Sequence, residues 1–351
     1  MTMRTLSYLG AAIGVIAATG ALAGCAGAGG TANASAGSLE QRTITVDAVP
    51  AAEEGGLYVA LAQGFFAQQG LTVTINSIAG GKAGIPDLQS GRAQLAAGNY
   101  VSFILAQLAG SFDGKPVSMR IIAAGSEIQP GSEALYVMPK SKYKTVAELA
   151  QGHARIGLNT ANDVGDMMVG ALLTQAGYKL SDIRQVIPKA GFPALLTMLP
   201  AGKVDAAWLS QPLGEIAEQR SGALPLADFD QGPMQDFPFT GYVGTTQWVK
   251  THPNTVAAFL RALNEGQQLA DTDRSAVESA MEQYTGITPV VAATIALDTY
   301  PLELAVPQLQ RVADSMFEFG LMPGAKAPYQ ISQMIQPEPD LIGAQPVGSN
   351  S

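Results

Sequence analysis

Two runs rich in β-branched residues, Ile44-Thr45-Val46-Asp47-Ala48-Val49 and Leu71-Thr72-Val73-Thr74-Ile75, flank a helix-like segment from Gly55 to Gln69. The apolar residues that share one face of this middle segment are Leu57, Ala60, Leu61 and Phe65. Gly70 follows the segment, in the position where a glycine commonly ends a helix. Strand, helix and strand in this order predict a βαβ unit, and therefore an α/β fold with a largely parallel sheet.

The same alternation continues to Ala124 and starts again after an extended apolar run from Glu133 to Pro139. A capping box at Thr145-Val146-Ala147-Glu148 predicts the first helix after the restart. A second extended run, from Tyr242 to Thr246, predicts a return crossing, after which the pattern is helical as far as Phe319. The sequence therefore predicts two α/β lobes that are joined by two crossing strands.

This division gives explicit boundaries. Lobe 1 is predicted to begin at 42–134, lobe 2 to span 135–244, and the helical return to lobe 1 to span 245–335. The hinge is placed near residues 135–139 and 241–246. The remaining segment, 336–351, is rich in Pro, Gly, Gln and Ser and is predicted to be a disordered tail.

A near repeat supports the two-lobe interpretation. Leu88-Gln89-Ser90-Gly91-Arg92-Ala93-Gln94-Leu95-Ala96-Ala97 resembles Leu199-Pro200-Ala201-Gly202-Lys203-Val204-Asp205-Ala206-Ala207. Each copy predicts a helix, a glycine stop, a basic residue and a strand. Chance is the alternative, because joints of this kind are common in α/β proteins; shared descent of the two lobes explains the match in basic residue and double alanine.

The N-terminus has the pattern of an export signal. A short basic start at Arg4 precedes an apolar stretch that ends at Leu22-Ala23-Gly24-Cys25. This predicts a lipoprotein signal peptide at 1–25 with a lipobox, a mature chain that begins at a lipid-bearing (palmitate) Cys25, and attachment to the outer side of the cell membrane. The alternatives are a membrane-spanning helix, for which the glycines make the stretch weakly apolar, and a chance cysteine. The following segment, 26–41, has the composition of a flexible tether.

Composition excludes several classes of function. The chain has 351 residues and a net charge of −9, and its Lys and Arg residues are scattered, which argues against a nucleic-acid partner. Cys25 is the only cysteine and His153 and His252 are the only histidines, so disulfides, thiolate chemistry and a histidine-rich metal site are not expected. No Gly-x-Ser-x-Gly elbow is present. We expect no catalytic residue, no metal and no cofactor.

A glycine-rich segment, Gly80-Gly81-Lys82-Ala83-Gly84, superficially resembles a phosphate loop but lacks its first glycine and the Ser or Thr after the lysine. It still lies at a strand-to-helix joint, where free amides favour small anionic or polar ligands. A solvated lysine is the alternative interpretation of Lys82.

Ligands of α/β sheets lie outside the carboxyl ends of the strands, so the loops there are predicted to line a cleft between the lobes. The predicted ligand-binding residues are Glu54, Gly55, Gly56, Lys82, Asn99, Tyr100, Asn159, Thr160, Asn162, Trp208, Gln211 and Tyr242, with Glu53 and Asp163 in the same loops. Ordinary core packing is the alternative for Tyr100 and Trp208. We expect Trp208→Ala to weaken ligand binding without unfolding the protein.

The stretch from Gly55 to Phe66, followed by Gly70-Leu71-Thr72-Val73, resembles the opening of the SsuA/THI5-like, or NMT1-like, solute-binding proteins of ABC importers. The glycine joints at Gly91 and Gly202 look like motifs of that family as well. The resemblance covers about residues 43–322. It implies a type II periplasmic-binding-protein fold, hinge closure on a small molecule of the sulfonate, nitrate, taurine or pyrimidine-precursor class, and an ABC permease with its ATPase as partners.

The charge of the predicted cleft favours some members of that class over others. Sulfonate and nitrate binders are expected to offer a cationic pocket, whereas Lys82 is the single basic candidate here and Glu53 and Glu54 oppose it. A nitrogenous, aromatic-stacking solute such as an aminopyrimidine fits better. Two alternatives stay open: a secreted enzyme on the same fold that acts on a small nitrogenous metabolite, and a ligand-sensing lipoprotein.

Overall fold

The predicted βαβ unit is present at the start of the fold. Strands Thr43–Ala48 and Thr72–Ser77 pair in parallel, and a helix begins between them at Gly55. The prediction of one helix from Gly55 to Gln69 is wrong at Gly64. This glycine adopts a left-handed conformation (φ 71°), which splits the segment into helices Gly55–Ala62 and Phe65–Gln68.

The computed structural model describes residues 38–336. Its strands are β1 (Thr43–Ala48), β2 (Thr72–Ser77), β3 (Leu95–Asn99), β4 (Ser111–Phe112), β5 (Lys115–Pro116), β6 (Met119–Glu127), β7 (Glu133–Val137), β8 (Arg155–Gly157), β9 (Arg184–Val186), β10 (Ala206–Ser210), β11 (Leu224–Asp228) and β12 (Pro238–Thr245). Its helices are α1 (Gly55–Ala62), α2 (Phe65–Gln68), α3 (Gly81–Ser90), α4 (Tyr100–Ala109), α5 (Val146–Gln151), α6 (Val164–Gln175), α7 (Phe192–Met198), α8 (Leu213–Ser221), α9 (Thr246–Thr251), α10 (Pro253–Thr272), α11 (Arg274–Thr285), α12 (Pro289–Thr294) and α13 (Val306–Glu318). None of these helices is long and apolar enough to span a membrane.

The two main sheets have the same topology. The first has the order β2-β1-β3-β12-β6 and the second has the order β9-β8-β10-β7-β11. In each sheet the first three strands are parallel, and the fourth runs antiparallel to both of its neighbours. The predicted α/β class with two lobes is therefore confirmed.

The sequence repeat falls on equivalent joints of the two sheets. Gly91 follows α3 and leads into β3, and Gly202 follows α7 and leads into β10. Both glycines adopt the left-handed conformation, with φ of 72° and 64°. A helix stop of this kind needs a residue without a Cβ, which is why the glycine recurs in both copies.

The chain passes between the two sheets earlier than the sequence predicted. It leaves the first sheet after Glu127 and enters the second at Glu133, then leaves the second after Asp228 and re-enters the first at Pro238. Residues 135–137 therefore lie inside β7 and residues 241–245 inside β12, so the crossings are at 128–132 and 229–237.

The C-terminal helices pack mainly against lobe 1. Phe259 of α10 stacks on Phe66 of α2 with ring centroids 5.1 Å apart, and Gly266 lies directly against the backbone of α1. Helix α13 contacts α4 and β12, and Phe319 just beyond it lies beside Gly170 of α6 in lobe 2.

The start of the described chain is attached to the same helical layer. Residues 38–41, the last part of the segment predicted to be a flexible tether, are held there through the carboxylate of Glu40. This group accepts hydrogen bonds from the backbone N–H groups of Asn254 and Thr255, at 3.1 and 2.9 Å. The predicted signal peptide with Cys25, the rest of the tether, and residues 337–351 of the predicted tail lie outside the described residues.

The role of Gly91 and Gly202 as left-handed helix stops can be tested by substitution. No atom lies within 4 Å of a Cβ built at Gly91 or Gly202, so Gly91→Ala and Gly202→Ala change only the backbone energy. We expect each to lower the free energy of unfolding by about 1 kcal/mol, because a Cβ is unfavourable in the left-handed region. Urea unfolding midpoints measure the effect.

Gly170→Ala is the matched control. This glycine lies inside α6 and a Cβ there would be 3.6 Å from Phe319, an ordinary contact. Alanine should therefore stabilise the helix by about 0.5 to 1 kcal/mol. A destabilised Gly170→Ala, or unchanged Gly91→Ala and Gly202→Ala, would contradict the account.

Candidate functional site

The two lobes meet at a buried seam, which lies at the carboxyl ends of their parallel strands. The backbone N–H of Ala52, after β1, donates to the carbonyl oxygen of Gln211, after β10, at 2.9 Å. The Ser102 hydroxyl on α4 donates to the Asp163 carboxylate at the start of α6, at 2.6 Å. Both hydrogen bonds join lobe 1 to lobe 2, so the two lobes are in contact.

A cluster of four buried carboxyl groups occupies this seam. We call Glu53, Glu54, Glu133 and Asp298 the acidic cluster. Glu53 and Glu54 lie in the turn after β1, Glu133 is the first residue of β7, and Asp298 precedes Thr299, which forms an antiparallel bridge with Glu127. None of the four is more than 6% exposed.

Three of the four carboxyl groups of the acidic cluster have an oxygen without a hydrogen-bond partner. Glu133 is the exception, because one of its oxygens accepts hydrogen bonds from the Trp208 indole N–H and from the Ser210 hydroxyl. Both oxygens of Glu54, Oε2 of Glu53 and Oδ1 of Asp298 are buried and unpaired. The salt bridges among residues 38–336 all lie elsewhere.

Burial and mutual repulsion raise the pKa of every member of the acidic cluster. Desolvation and the nearby Asp298 raise the pKa of Glu53 to about 8. Desolvation raises the pKa of Asp298 to about 7, with Ser132 lowering it by a hydrogen bond. The pKa values of Glu54 and Glu133 are raised well above the usual range, by desolvation first and by the charge of Glu53 second. An ionised carboxylate in this seam is therefore energetically unfavourable unless a proton or a positive charge neutralises it.

Tyrosines surround the turn that carries Glu53 and Glu54. The Tyr300 hydroxyl donates to the carbonyl oxygen of Ala52 at 2.7 Å, and the Tyr58 hydroxyl donates to that of Val49 at 3.1 Å. Tyr242 of β12 lies beside Glu54, and its hydroxyl lowers the pKa of that carboxyl group against the larger effect of burial. These contacts fix the position of the two carboxyl groups.

Three of the predicted site residues, Asn159, Thr160 and Lys82, lie elsewhere on the seam. Asn159 and Thr160 of lobe 2 face Gly80 of lobe 1, where a Cβ would lie 3.4 Å from Asn159 Nδ2 and 3.8 Å from Thr160 Oγ1. Lys82 is half-buried and lowers the pKa of Asp163 through its charge. Asn162, also predicted, is exposed and has a positive φ of 49°.

Other predicted residues are engaged in holding the fold. Asn99 caps α4, with its Oδ1 accepting from the Ser102 backbone N–H at 2.8 Å. Gln211 donates to the Gly131 carbonyl oxygen and accepts from the Glu215 backbone N–H. Tyr100 is buried against Gly241 of the neighbouring strand.

Gly55 and Gly56 are required by packing. A Cβ at Gly55 would lie 2.3 Å from the Tyr300 hydroxyl oxygen, and one at Gly56 would lie 2.5 Å from Cγ of Gln267. Neither position has room for a side chain, so these glycines bring α1 close to its neighbours.

Trp208 belongs to the core of lobe 2. Its ring makes edge contacts with Phe192 and Phe229, at centroid distances of 4.9 and 6.4 Å, and it covers Gly165. Only its N–H reaches the acidic cluster, through Glu133. This geometry does not support the expectation that Trp208→Ala leaves folding intact.

Sequence reasoning missed Glu133, Asp298 and Tyr300. The usable signal was a carboxylate inside an otherwise apolar run, in Glu133-Ala134-Leu135-Tyr136-Val137 and again in Ile295-Ala296-Leu297-Asp298. The sequence did not predict that these two runs meet beside the turn after β1. No group of three or more metal-ligating side chains that could hold a metal ion occurs in residues 38–336.

Two lobes of matching topology, joined by two crossings and meeting at a buried polar seam, define the periplasmic-binding-protein class of fold. A model of the NMT1/THI5-like family matches residues 52–273, more than half of the 351 residues, and the chain belongs to this family. The search of curated protein sequences gave no match.

Solved structures with the same fold include binding proteins and an enzyme. The alkanesulfonate-binding protein SsuA from Xanthomonas axonopodis pv. citri, bound to MOPS, aligns with a TM-score of 0.71 at 18% identity, covering 85% of this chain and 99% of its own. The periplasmic nitrate-binding protein NrtA from Synechocystis PCC 6803 gives 0.72 at 15% identity, covering 82% and 84%. The desulfurization enzyme DSZB gives 0.61 at 17% identity, covering 85% and 97%.

The packing of Trp208 generates one prediction. Trp208→Ala should lower the free energy of unfolding by about 3 to 5 kcal/mol, because it removes a large buried ring. Trp208→Phe should cost less, since a ring stays in place while Glu133 loses its N–H donor. Trp248→Ala is the matched control, because that tryptophan is only half-buried and stacks on His252. A Trp208→Ala loss no larger than that of Trp248→Ala would show that the ring is not part of the core.

Asp163 generates a pH prediction. Burial raises its pKa to about 6, against opposing hydrogen bonds from Ser102 and Val164 and the charge of Lys82. A carboxyl group whose folded pKa is raised destabilises the fold above that pKa, and the penalty disappears as the pH falls. Relative to Asp163→Asn, the wild type should therefore gain roughly 1 kcal/mol of stability between pH 7 and pH 5.

Asparagine is a suitable replacement here, because it also caps helices well. Thermal unfolding of both proteins across this pH range measures the difference. Parallel pH profiles would show that Asp163 does not titrate in this range.

Proposed function

We propose that this protein is the solute-binding component of an ABC importer. It captures a small molecule between its lobes outside the cytoplasm, closes by a hinge at the two crossings, and presents the molecule to the permease, while the partner ATPase supplies the energy. The observation that carries the proposal is the seam, where side chains of both lobes bury polar groups that have no partner in the protein.

Family membership and fold support this proposal. The named SsuA and NrtA structures are binding proteins, for alkanesulfonate and for nitrate. Binding sites in such α/β folds lie outside the carboxyl ends of the strands, which is where the acidic cluster and the interlobe hydrogen bonds lie.

The proposal includes a lipid anchor at Cys25. It is supported by the signal-like residues 1–25, with small residues directly before the cysteine. In this proposal the membrane is contacted through the lipid alone, and the folded lobes stay in the aqueous phase beside the permease.

An enzyme is the second candidate, because DSZB shares the fold. Two features of the chain favour a receptor. It has no cysteine after residue 25 to serve as a nucleophile, and its two histidines, His153 and His252, both lie away from the seam. A receptor returns its ligand unchanged, whereas an enzyme converts it, and this difference decides between them.

Ligand binding and closure can be measured together. Native mass spectrometry of the processed protein, purified gently from expressing cells, should show a bound small molecule that is chemically unchanged on release. Small-angle scattering should show a smaller radius of gyration with the molecule than without it. A released product instead of the original molecule would support the enzyme, and a radius independent of ligand would contradict hinge closure.

Ser102→Ala sharpens the test, because it removes an interlobe hydrogen bond. We expect it to weaken ligand affinity about tenfold, which is roughly the loss of one hydrogen bond to a charged group. Ser118→Ala is the matched control, since that hydroxyl bonds Thr246 within lobe 1. Equal effects of the two variants would show that the interlobe bond does not contribute to closure.

A further inference from the structure

The unpaired polar atoms of the molecule have one chemical character. Every buried side-chain nitrogen or oxygen without a hydrogen-bond partner in residues 38–336 is an oxygen acceptor. These atoms are Asp47 Oδ2, Glu53 Oε2, both oxygens of Glu54, Asn159 Oδ1, Gln267 Oε1 and Asp298 Oδ1. Of these, the oxygens of Glu53, Glu54 and Asp298 belong to the acidic cluster.

An anion requires donors, and three side-chain donors beside the acidic cluster already donate within the protein. The Trp208 N–H and the Ser210 hydroxyl already donate to Glu133. Gln211 donates to Gly131. Lys82 stands at the other end of the seam, where its charge acts on Asp163.

The acidic cluster has the features of a site for positive charge. Its carboxyl groups come from both lobes, with Glu53 and Glu54 on one side and Glu133 on the other. The Ala52 N–H donates to Gln211 at 2.9 Å and the Gln211 N–H donates to Ser132 at 3.1 Å, so the turn that carries Glu53 lies next to the start of β7. Tyr58 and Tyr300 hold the turn that carries Glu53 and Glu54 through hydrogen bonds to Val49 and Ala52, so the two carboxyl groups are kept in place.

We propose that the solute of this protein is a small organic cation, a protonated amine, amidine or guanidine, whose N–H groups are held by the acidic cluster. The inference rests on the proposed function, since it names the ligand class of the same cleft. An organic cation fits better than a metal ion, because no group of three or more side chains able to hold a metal occurs in the described part of the chain. It brings several donors at once, which matches several unpaired acceptors.

The test compares probes of similar size and different charge on the processed protein. Butylamine, butanamidine and butylguanidine represent nitrogen bases that are protonated at neutral pH, butanesulfonate and nitrate represent anions, and calcium and zinc represent metal ions. We expect calorimetry to show binding of at least one nitrogen base and none of the anions or metals. Binding of an anion or a metal, or of no nitrogen base, would overturn the inference.

Glu54→Gln is the informative variant. We expect it to weaken binding of the nitrogen base at least tenfold, because a neutral amide replaces a carboxylate in the acidic cluster. The same change should raise the unfolding midpoint of the empty protein, since it removes a buried unpaired carboxyl group. Opposite effects on stability and affinity separate a binding role from a structural one; unchanged affinity would overturn the inference.

Asp47→Asn is the matched control. Asp47 is fully buried on β1, has an unpaired oxygen as Glu54 does, and accepts a hydrogen bond from Asn76 away from the seam. Its variant should bind the nitrogen base within twofold of wild type. A tenfold loss in this variant as well would mean that any buried carboxylate of lobe 1 matters, and the acidic cluster would not be the site. Asp298→Asn should repeat the effect of Glu54→Gln.

These outcomes separate the inference from the proposed function. If an anion binds and reduces the radius of gyration, the cationic ligand class is wrong and the proposed receptor function still holds. If a nitrogen base binds but is converted to product, the cationic ligand class holds and the proposed receptor function is wrong.

Discussion

A carboxyl group is costly to bury, and this fold buries four of them where its lobes meet, three of which have an oxygen without a hydrogen-bond partner. The cost is several kcal/mol for each charged group, so such groups persist only where surrounding structure holds them in place. Here the holding structure is visible. Tyr300 bonds the turn that carries Glu53 and Glu54, and Gly55 leaves room for that tyrosine because any Cβ would collide with its hydroxyl. The packing of α1 and the chemistry of the seam are therefore parts of one arrangement.

The architecture could be predicted from the sequence because its signals are local. A strand, a helix and a strand around Gly55, and the repeated glycine joints at Gly91 and Gly202, give the parallel units and their duplication. The crossings were placed too late, since β7 and β12 are apolar runs that look alike whether they cross between sheets or lie inside them. The break at Gly64 was missed for a related reason, because an isolated glycine in a helical pattern is often tolerated.

The site was predicted less completely, because it is assembled from distant parts of the chain. Strand ends gave Glu54, Tyr242, Asn159 and Thr160, all of which lie on the seam. Sequence could not separate residues that face the seam from those that cap helices or fill a core, so Asn99, Gln211 and Trp208 were placed in one group with Glu54. Glu133 and Asp298 are separated from Glu54 by about 80 and 240 positions, and only the sheet topology brings them together.

Distribution of the acidic cluster over both lobes has a consequence for the equilibrium between open and closed forms. Closing an empty cleft brings Glu133 towards Glu53 and Glu54, so their carboxyl groups must repel one another or take up protons. A cation bound between them removes both costs, and it does so only in the closed form, where both lobes contribute. Its affinity for the closed form must then exceed that for the open one, which is the condition for a ligand to shift such an equilibrium. In this proposal the same carboxyl groups select the charge of the solute and couple its binding to closure.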